Sequence, residues 1–155
     1  MTASAFIAQY SNAVILSCIT NGLFPSVTMA QAALETGWGT SVVGNNLFGI
    51  KASGATSPYW KGASVNATTH EVYNGVSALY KLNFRQYASV QDSISDHSYF
   101  LKQNGRYANV FSAATPEDQA RALQAAGYAT DPSYASKLIQ IITKYDLKAL
   151  DKKKR

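Results

Sequence analysis

Three glutamates are the side chains of this sequence best suited to acid–base chemistry, and two of them lack an evident structural role. Glu117 follows Pro116 in the first turn of a predicted helix, where a carboxylate stabilises the helix dipole. Glu35 stands near the end of a helical pattern and Glu71 lies within a strand pattern. Glycosidic cleavage needs one protonated carboxyl that donates to the leaving oxygen, and often a second, ionised group on the opposite face of the sugar. Glu35 and Glu71 are therefore the candidate pair.

The predicted surroundings of Glu35 favour the role of the acid. Leu34 and Trp38 flank it, and apolar burial raises the pKa of a glutamate from ~4.3 toward the ~6 that keeps a proton near neutrality. The alternatives are a helix-end Glu35 bonded to backbone amides and a Glu71 that faces solvent from its strand. Spacing alone does not decide between these interpretations.

The elements that would position the pair are helices arranged around one hairpin. Helical spacing, capping residues and glycine stops predict helices over residues 4–20, 89–103, 107–113, 115–127 and 132–147, with another from Pro25 to Gly37. Residues 65–73 and 76–84 alternate as strands around Asn74-Gly75, the pair favoured in two-residue turns, which places Glu71 opposite Ala78. This order predicts an α+β domain whose small sheet forms one wall of a cleft.

Length and composition limit the architecture to one domain over residues 1–155, with a basic C-terminal tail at 148–155. The 155 residues are 46% hydrophobic, which suffices for a single core. The net charge of +5 favours anionic partners but does not choose among nucleic acid, membranes and wall polymers. Cys18 is the only cysteine, so no intrachain disulfide forms, and no metal site can be assembled from two histidines.

The longest apolar run near the N-terminus, Ala13 to Leu16, is too short for a signal sequence or a membrane span, so the chain is expected to be made in the cytoplasm.

Several runs in order resemble the family 73 glycoside hydrolases, the N-acetylglucosaminidases that cut bacterial peptidoglycan. The resemblance covers roughly residues 25–145. It is carried by Ala32-Ala33-Leu34-Glu35-Thr36-Gly37-Trp38-Gly39, Asn45-Asn46-Leu47-Phe48-Gly49-Ile50-Lys51, Thr69-His70-Glu71, Phe84-Arg85, Asn104-Gly105-Arg106-Tyr107-Ala108, and Ala126-Gly127-Tyr128-Ala129-Thr130-Asp131-Pro132 with Tyr134-Ala135. The chain departs from the family at Gly105, where many relatives have proline.

The resemblance implies a lysozyme-like α+β fold, mostly helical, with one β-hairpin lobe beside a substrate groove. It implies that Glu35 is the general acid and that Glu71, on a movable hairpin, is the second carboxylate. The acetamido group of the substrate could instead be the nucleophile, with Glu71 or Asp96 orienting it or activating water. Inversion and retention of configuration both stay open.

The resemblance also implies a set of substrate-binding residues, and each has a structural alternative. Tyr128 would contact the N-acetyl group. Further candidates for the subsites are Trp38, Asn46, Phe48, Asp96 and Tyr107. Trp38 and Phe48 could instead be core residues, Asn46 could satisfy its own loop, and Tyr107 could cap a helix. The alternative for Asp96 is a solvated helix face or a partner for a nearby cation.

The function implied is endo-β-N-acetylglucosaminidase activity on peptidoglycan, without a cofactor or a metal. We expect a monomer of the phage endolysin type that binds glycan strands, with no nucleic-acid partner and no stable membrane insertion, and that acts on the wall after release. Alternatives are a flagellum-associated hydrolase domain, a muramidase, a lytic transglycosylase, a non-catalytic wall-binding module, and a cationic membrane-active protein that works through Lys152 to Arg155.

Overall fold

A computed structural model describes residues 1–152 and confirms the expected α+β organisation. The helices are α1 (Ala3–Asn21), α2 (Pro25–Thr36), α3 (Val90–Gln103), α4 (Pro116–Ala125) and α5 (Tyr134–Lys144), with 3-10 helices at Gly105–Ser112 and Leu147–Lys152. The strands β1 (Ser64–Tyr73) and β2 (Val76–Arg85) form one antiparallel hairpin. The helices enclose the core, and the hairpin extends from one side of it.

Helix α2 runs through the centre of the helical part. It packs against α1, α5 and the C-terminal 3-10 helix, and residues 25–33 are all buried. Small side chains such as Ala30 and Ala33 allow this close approach. The helix ends because Gly37 adopts a left-handed conformation, with φ of 57°, and its N–H bonds the Ala33 carbonyl. Glu35 is thereby held in the last turn of a rigid element.

The hairpin has the register expected from its turn. Tyr73 pairs with Val76, and Glu71 pairs with Ala78. The outer edge of β2 is covered by the segment that follows Phe48, since the Arg85 N–H donates to the Ile50 carbonyl over 2.9 Å and the Ala52 N–H donates to the Asn83 carbonyl over 2.9 Å. The base of the hairpin is therefore fixed to the loop that also approaches Glu35, whereas Val76 at its tip is exposed.

Both ends of the described chain contribute to the core. Helix α1 begins at Ala3 and not at Ser4, because the Thr2 hydroxyl accepts a hydrogen bond from the Ala5 N–H. Its length and apolar composition would suffice to cross a membrane, yet Phe6, Val14 and Cys18 are buried in the protein core.

The last helix is shorter than predicted at both ends. Helix α5 begins at Tyr134, because the preceding residues form a turn in which the Ser133 N–H bonds the Asp131 carboxylate. After α5, Leu147 and Leu150 are buried, and Asp151 accepts hydrogen bonds from the N–H and hydroxyl of Ser26. The rest of the basic run, residues 153–155, lies outside the described residues.

Candidate active site

Glu35 lies in a groove between the helical part and the hairpin. Two adjoining cavities share its side chain. One is lined by Ser41, Val43, Asn46, Gly49, Ala67, Thr68, Thr69 and Phe84. The other is lined by Leu34, Phe48, Gly49, Lys51, Thr69, His70, Glu71, Phe84, Tyr128, Ala129, Thr130, Asp131, Tyr134 and Lys137. The groove therefore extends to both sides of Glu35, and Glu71 faces the second cavity.

The Glu35 carboxyl is packed against the backbone of Gly49. A β-carbon on Gly49 would lie 2.5 Å from Glu35 Cδ, and Gly49 has a positive φ of 65°. Only glycine allows both the conformation and the approach at no cost. Gly49 belongs to a tight loop that is organised by Asn46, so the loop sets the position of the carboxyl.

Asn46 is buried and uses both ends of its amide within this loop. Its Nδ2 donates to the carbonyls of Ile50 and Arg85 over 3.0 Å each, and its Oδ1 accepts from the N–H groups of Phe48, over 3.1 Å, and Ile50, over 3.4 Å. The amide has two N–H donors, and both are occupied. Asn46 lines the groove, but its place in the structure is that of a loop organiser.

Glu71 reaches the groove from β1 and is buried there. Its Oε1 lies 3.4 Å from Lys51 Nζ and accepts a hydrogen bond from the Thr130 hydroxyl over 3.1 Å. An ion pair and an accepted hydrogen bond both stabilise a charged carboxylate. The second carboxyl of the groove is thus held in a polar environment.

The environment of Glu35 is different and favours its neutral form. Desolvation by the surrounding protein, supported by the negative charge of Glu71 and opposed by Lys51, raises the pKa of Glu35 to about 7. The residue as a whole is exposed to the groove, but its carboxyl lies against Gly49, and desolvation acts on that end. A carboxyl that retains a proton thus lies in the same groove as a carboxylate that Lys51 and Thr130 contact, which is the arrangement of an acid and its charged partner.

Tyr128 lies at the opposite wall and supports the same loop. Its hydroxyl donates to the Phe48 carbonyl over 3.1 Å, and its ring stacks on Tyr134 with centroids 5.8 Å apart. Phe48 is itself buried and stacks on His97 at 4.0 Å. The tyrosine hydroxyl thus faces the protein backbone, whereas one edge of the residue lines the groove.

Trp38 does not contact the groove, contrary to the expectation that it lines a subsite and buries Glu35. Trp38 has a positive φ of 58°, directly after the left-handed Gly37, and the chain turns back toward α1. The indole packs edge-on against Phe6, at 5.7 Å, and Tyr145, at 4.5 Å. It is half-buried and packs against the core, and the desolvation of Glu35 is supplied by the groove walls.

Asp96 does not line the groove either, so the expectation that it contacts the substrate is wrong. It is fully buried in α3, where it bonds the Arg85 guanidinium over 2.9 Å and the hydroxyls of Tyr87 and Ser57. These three donors come from segments outside α3. The Asp96 carboxylate therefore anchors the end of β2, the loop after it and the loop before β1 to the helical part.

Tyr107 lies behind the groove wall. It is 1% exposed, its ring centroid lies 6.1 Å from that of Tyr128, and its hydroxyl accepts a hydrogen bond from Arg106 over 2.9 Å. Because Tyr128 separates it from the second cavity, Tyr107 supports the wall and is not a contact surface.

The structure adds groove residues to which the sequence reasoning gave no role. These are Gly49, Lys51, Thr130, Tyr134 and Lys137. The first four belong to the runs that resemble the family, and membership in those runs was the one signal available from the sequence. Within residues 1–152, no cluster of three or more histidine, cysteine or acidic side chains could hold a metal ion.

Fold and site together define a lysozyme-like domain with a carboxylate pair in its groove. The family model of the glucosaminidases, described as mannosyl-glycoprotein endo-beta-N-acetylglucosaminidase, matches residues 11–147. The chain belongs to this glucosaminidase family.

Known proteins that are similar to this chain in sequence and in structure agree with this family assignment. The chain is 44% identical over 145 residues to the peptidoglycan hydrolase FlgJ of Escherichia coli K12, covering 89% of this chain and 45% of that protein. It is 38% identical over 137 residues to the exo-glucosaminidase LytG of Bacillus subtilis, covering 83% and 46%. The crystal structure of a peptidoglycan hydrolase mutant from Sphingomonas sp. A1 superposes with a TM-score of 0.81 at 35% identity, covering 94% and 96%. The chain thus spans less than half the length of these curated relatives.

Proposed function

We propose that this protein is an endo-β-N-acetylglucosaminidase that hydrolyses the β-1,4 bond from N-acetylglucosamine to N-acetylmuramic acid in peptidoglycan. The observation that carries the proposal is the pair of carboxyls in one groove, one with a pKa raised to about 7 and the other ion-paired with Lys51. The family membership and the peptidoglycan hydrolases among the relatives support the choice of substrate.

Glu35 donates the proton in this reaction. Near neutral pH a large fraction of Glu35 is protonated, so the carboxyl can protonate the leaving oxygen as the glycosidic bond breaks. Because Glu35 lies at the end of α2 and against Gly49, the direction in which its carboxyl donates the proton is fixed. Glu71 is the charged group that acts from the hairpin, either on the attacking water or on the acetamido group of the substrate.

The extent of the groove supports cleavage within a strand. Cavities continue from Glu35 in two directions, toward Ser41 and Val43 on one side and toward Thr130 and Lys137 on the other. A glycan can therefore occupy both sides of the scissile bond. An enzyme that removed only terminal sugars, as the name of LytG states for that relative, would release monosaccharide instead of long fragments.

The identity of the new ends tests the proposal. Purified sacculi are digested, the products are reduced with borohydride, and the reduced sugars are identified by mass spectrometry. Reduced N-acetylglucosamine is expected from the wild type and not from Glu35→Gln. Reduced muramic acid would make the protein a muramidase, an anhydro end would make it a lytic transglycosylase, and binding of sacculi without any new ends would make it a wall-binding module.

The stereochemistry and the biological setting belong to the same proposal. NMR of the newly formed reducing end distinguishes inversion from retention, which decides whether Glu71 acts on water or on the acetamido group. We propose a monomer of the endolysin type that meets the wall after release. Light scattering tests the monomer, flotation with vesicles tests membrane insertion, and cytoplasmic expression with and without permeabilisation of the membrane tests the need for release.

A further inference from the structure

We propose that Thr130 is a positioning residue for Glu71, and that its hydroxyl fixes both the carboxylate and the strand that carries it. The inference rests on the proposed function, because it assigns how the second carboxylate of that reaction is held. Thr130 lies in the turn between α4 and α5, on the wall of the groove that faces the hairpin.

The Thr130 hydroxyl makes two contacts with adjacent residues of β1. It accepts a hydrogen bond from the Val72 N–H over 3.0 Å and lies 3.1 Å from Glu71 Oε1. Val72 lies on the outer edge of β1, where the backbone has no neighbouring strand in the two-stranded sheet of the described chain. One side chain thus satisfies an edge N–H group and contacts the carboxylate beside it.

The first contact determines the direction of the second. A hydroxyl has one proton, and an N–H group can only donate, so the oxygen of Thr130 accepts from Val72. Its proton is then free to point at Glu71, which accepts it. A carboxylate that receives this hydrogen bond, with Lys51 Nζ 3.4 Å away, is favoured as a charged acceptor in one orientation.

The turn that carries Thr130 is itself anchored on both sides. Before it, the Tyr128 hydroxyl bonds the Phe48 carbonyl. After it, Asp131 accepts from the Ser133 N–H and forms an ion pair with Lys137. Thr130 is therefore a fixed point on the groove wall, and its hydroxyl contacts the hairpin at Val72 and Glu71.

The test compares substitutions at this position. Thr130→Val keeps the shape of the side chain and removes the hydroxyl, and Thr130→Ser keeps the hydroxyl. Since a hydrogen bond to a charged group is lost, kcat on sacculi is expected to fall roughly 10- to 100-fold in Thr130→Val, with a smaller change in KM, and to recover in Thr130→Ser. Thr143→Val, at an exposed position of α5, is the matched control and is expected to behave as the wild type. Thr130→Ala removes the same hydroxyl and serves if the valine variant does not fold.

A double-mutant cycle separates positioning of Glu71 from a general structural effect. In a Glu71→Gln background the loss from Thr130→Val is expected to be less than about 2-fold, because residues that act as a unit are not additive. An equal loss in both backgrounds, or full activity of a folded Thr130→Val protein, would overturn the inference. A wild type that releases no reduced N-acetylglucosamine would instead refute the proposed function, so the two failures are distinguishable.

Discussion

The sharpest structural prediction concerns Gly49, because a single methyl group added there would point at the Glu35 carboxyl. In Gly49→Ala the new β-carbon would lie 2.5 Å from Glu35 Cδ and 2.6 Å from its nearer oxygen. Ordinary contact between carbon atoms is ~3.5 Å, so the carboxyl must move by about 1 Å. The displaced atoms are the end of a flexible side chain, and Glu35 is therefore expected to move while the backbone stays in place.

The expected magnitudes differ between activity and stability. A misplacement of about 1 Å costs roughly 10²-fold in rate, and kcat on sacculi should fall by at least that factor. The positive φ of 65° adds a conformational cost of about 1–2 kcal/mol for any residue with a β-carbon. That cost lowers the melting temperature by only about 2–8 °C, so the protein is expected to remain folded.

Gly54→Ala supplies the matched control. Gly54 has a similar φ of 79°, and the nearest atom to the new β-carbon, Arg85 Nη2, would be 3.8 Å away. Both alanine variants should lose similar stability, measured by thermal unfolding, while only Gly49→Ala loses activity. Wild-type kcat in Gly49→Ala, or an equal loss of activity in both variants, would refute the placement of the Glu35 carboxyl against Gly49.

Four further predictions concern Glu35, Asp96 and Tyr128. Because protonated Glu35 is lost as pH rises through about 7, kcat/KM should fall there, and a profile that stays flat across that range would contradict the assignment. The pKa of Glu35 is raised on folding from 4.5, so its contribution to stability is present below pH 4.5 and is lost as pH rises through about 7. Glu35→Gln should therefore melt at a higher temperature than the wild type above pH 7 and at a similar temperature below pH 4.5. Asp96→Ala leaves the Arg85 charge buried without its partner and should cost about 3–5 kcal/mol in denaturant unfolding, whereas a loss below about 1 kcal/mol would make the pair unimportant. Tyr128→Phe removes one hydrogen bond to the Phe48 carbonyl and should cost about 0.5–1.5 kcal/mol in the free energy of unfolding. The loss of kcat, expressed as a free energy, should be larger than this loss of stability. Equal losses would make Tyr128 structural only.

Local signals in the sequence were sufficient for the elements that carry the two glutamates. Pro25 and Gly37 bound α2, and Asn74-Gly75 sets the register that places Glu71 opposite Ala78. These features depend on residues close together in the chain, where backbone conformation and side-chain alternation decide the outcome.

The positions that the sequence did not predict depend on contacts between distant segments. The sequence analysis placed Trp38 beside Glu35, but two successive left-handed residues turn the indole onto Phe6. From the sequence alone Asp96 is a polar helix residue with no evident partner. Its partners Arg85 and Tyr87 lie in β2 and the loop after it, and only the folded structure brings them to α3.

The environment of Glu35 also depends on contacts between distant segments of the chain. The sequence predicted from apolar neighbours that the pKa of Glu35 would be raised. The desolvation that raises it comes from groove walls that separate parts of the chain contribute.

Direct titration of Glu35 tests the central claim. Carbon-13 NMR of protein labelled at the glutamate carboxyls should show three signals, since the chain contains three glutamates, and Glu71→Gln and Glu117→Gln assign them. A Glu35 midpoint near 7 is predicted, because the carboxyl is desolvated in the groove beside the charge of Glu71. A midpoint near 4.5 would contradict the account, since Glu35 would then be ionised at neutral pH and could not be the proton donor.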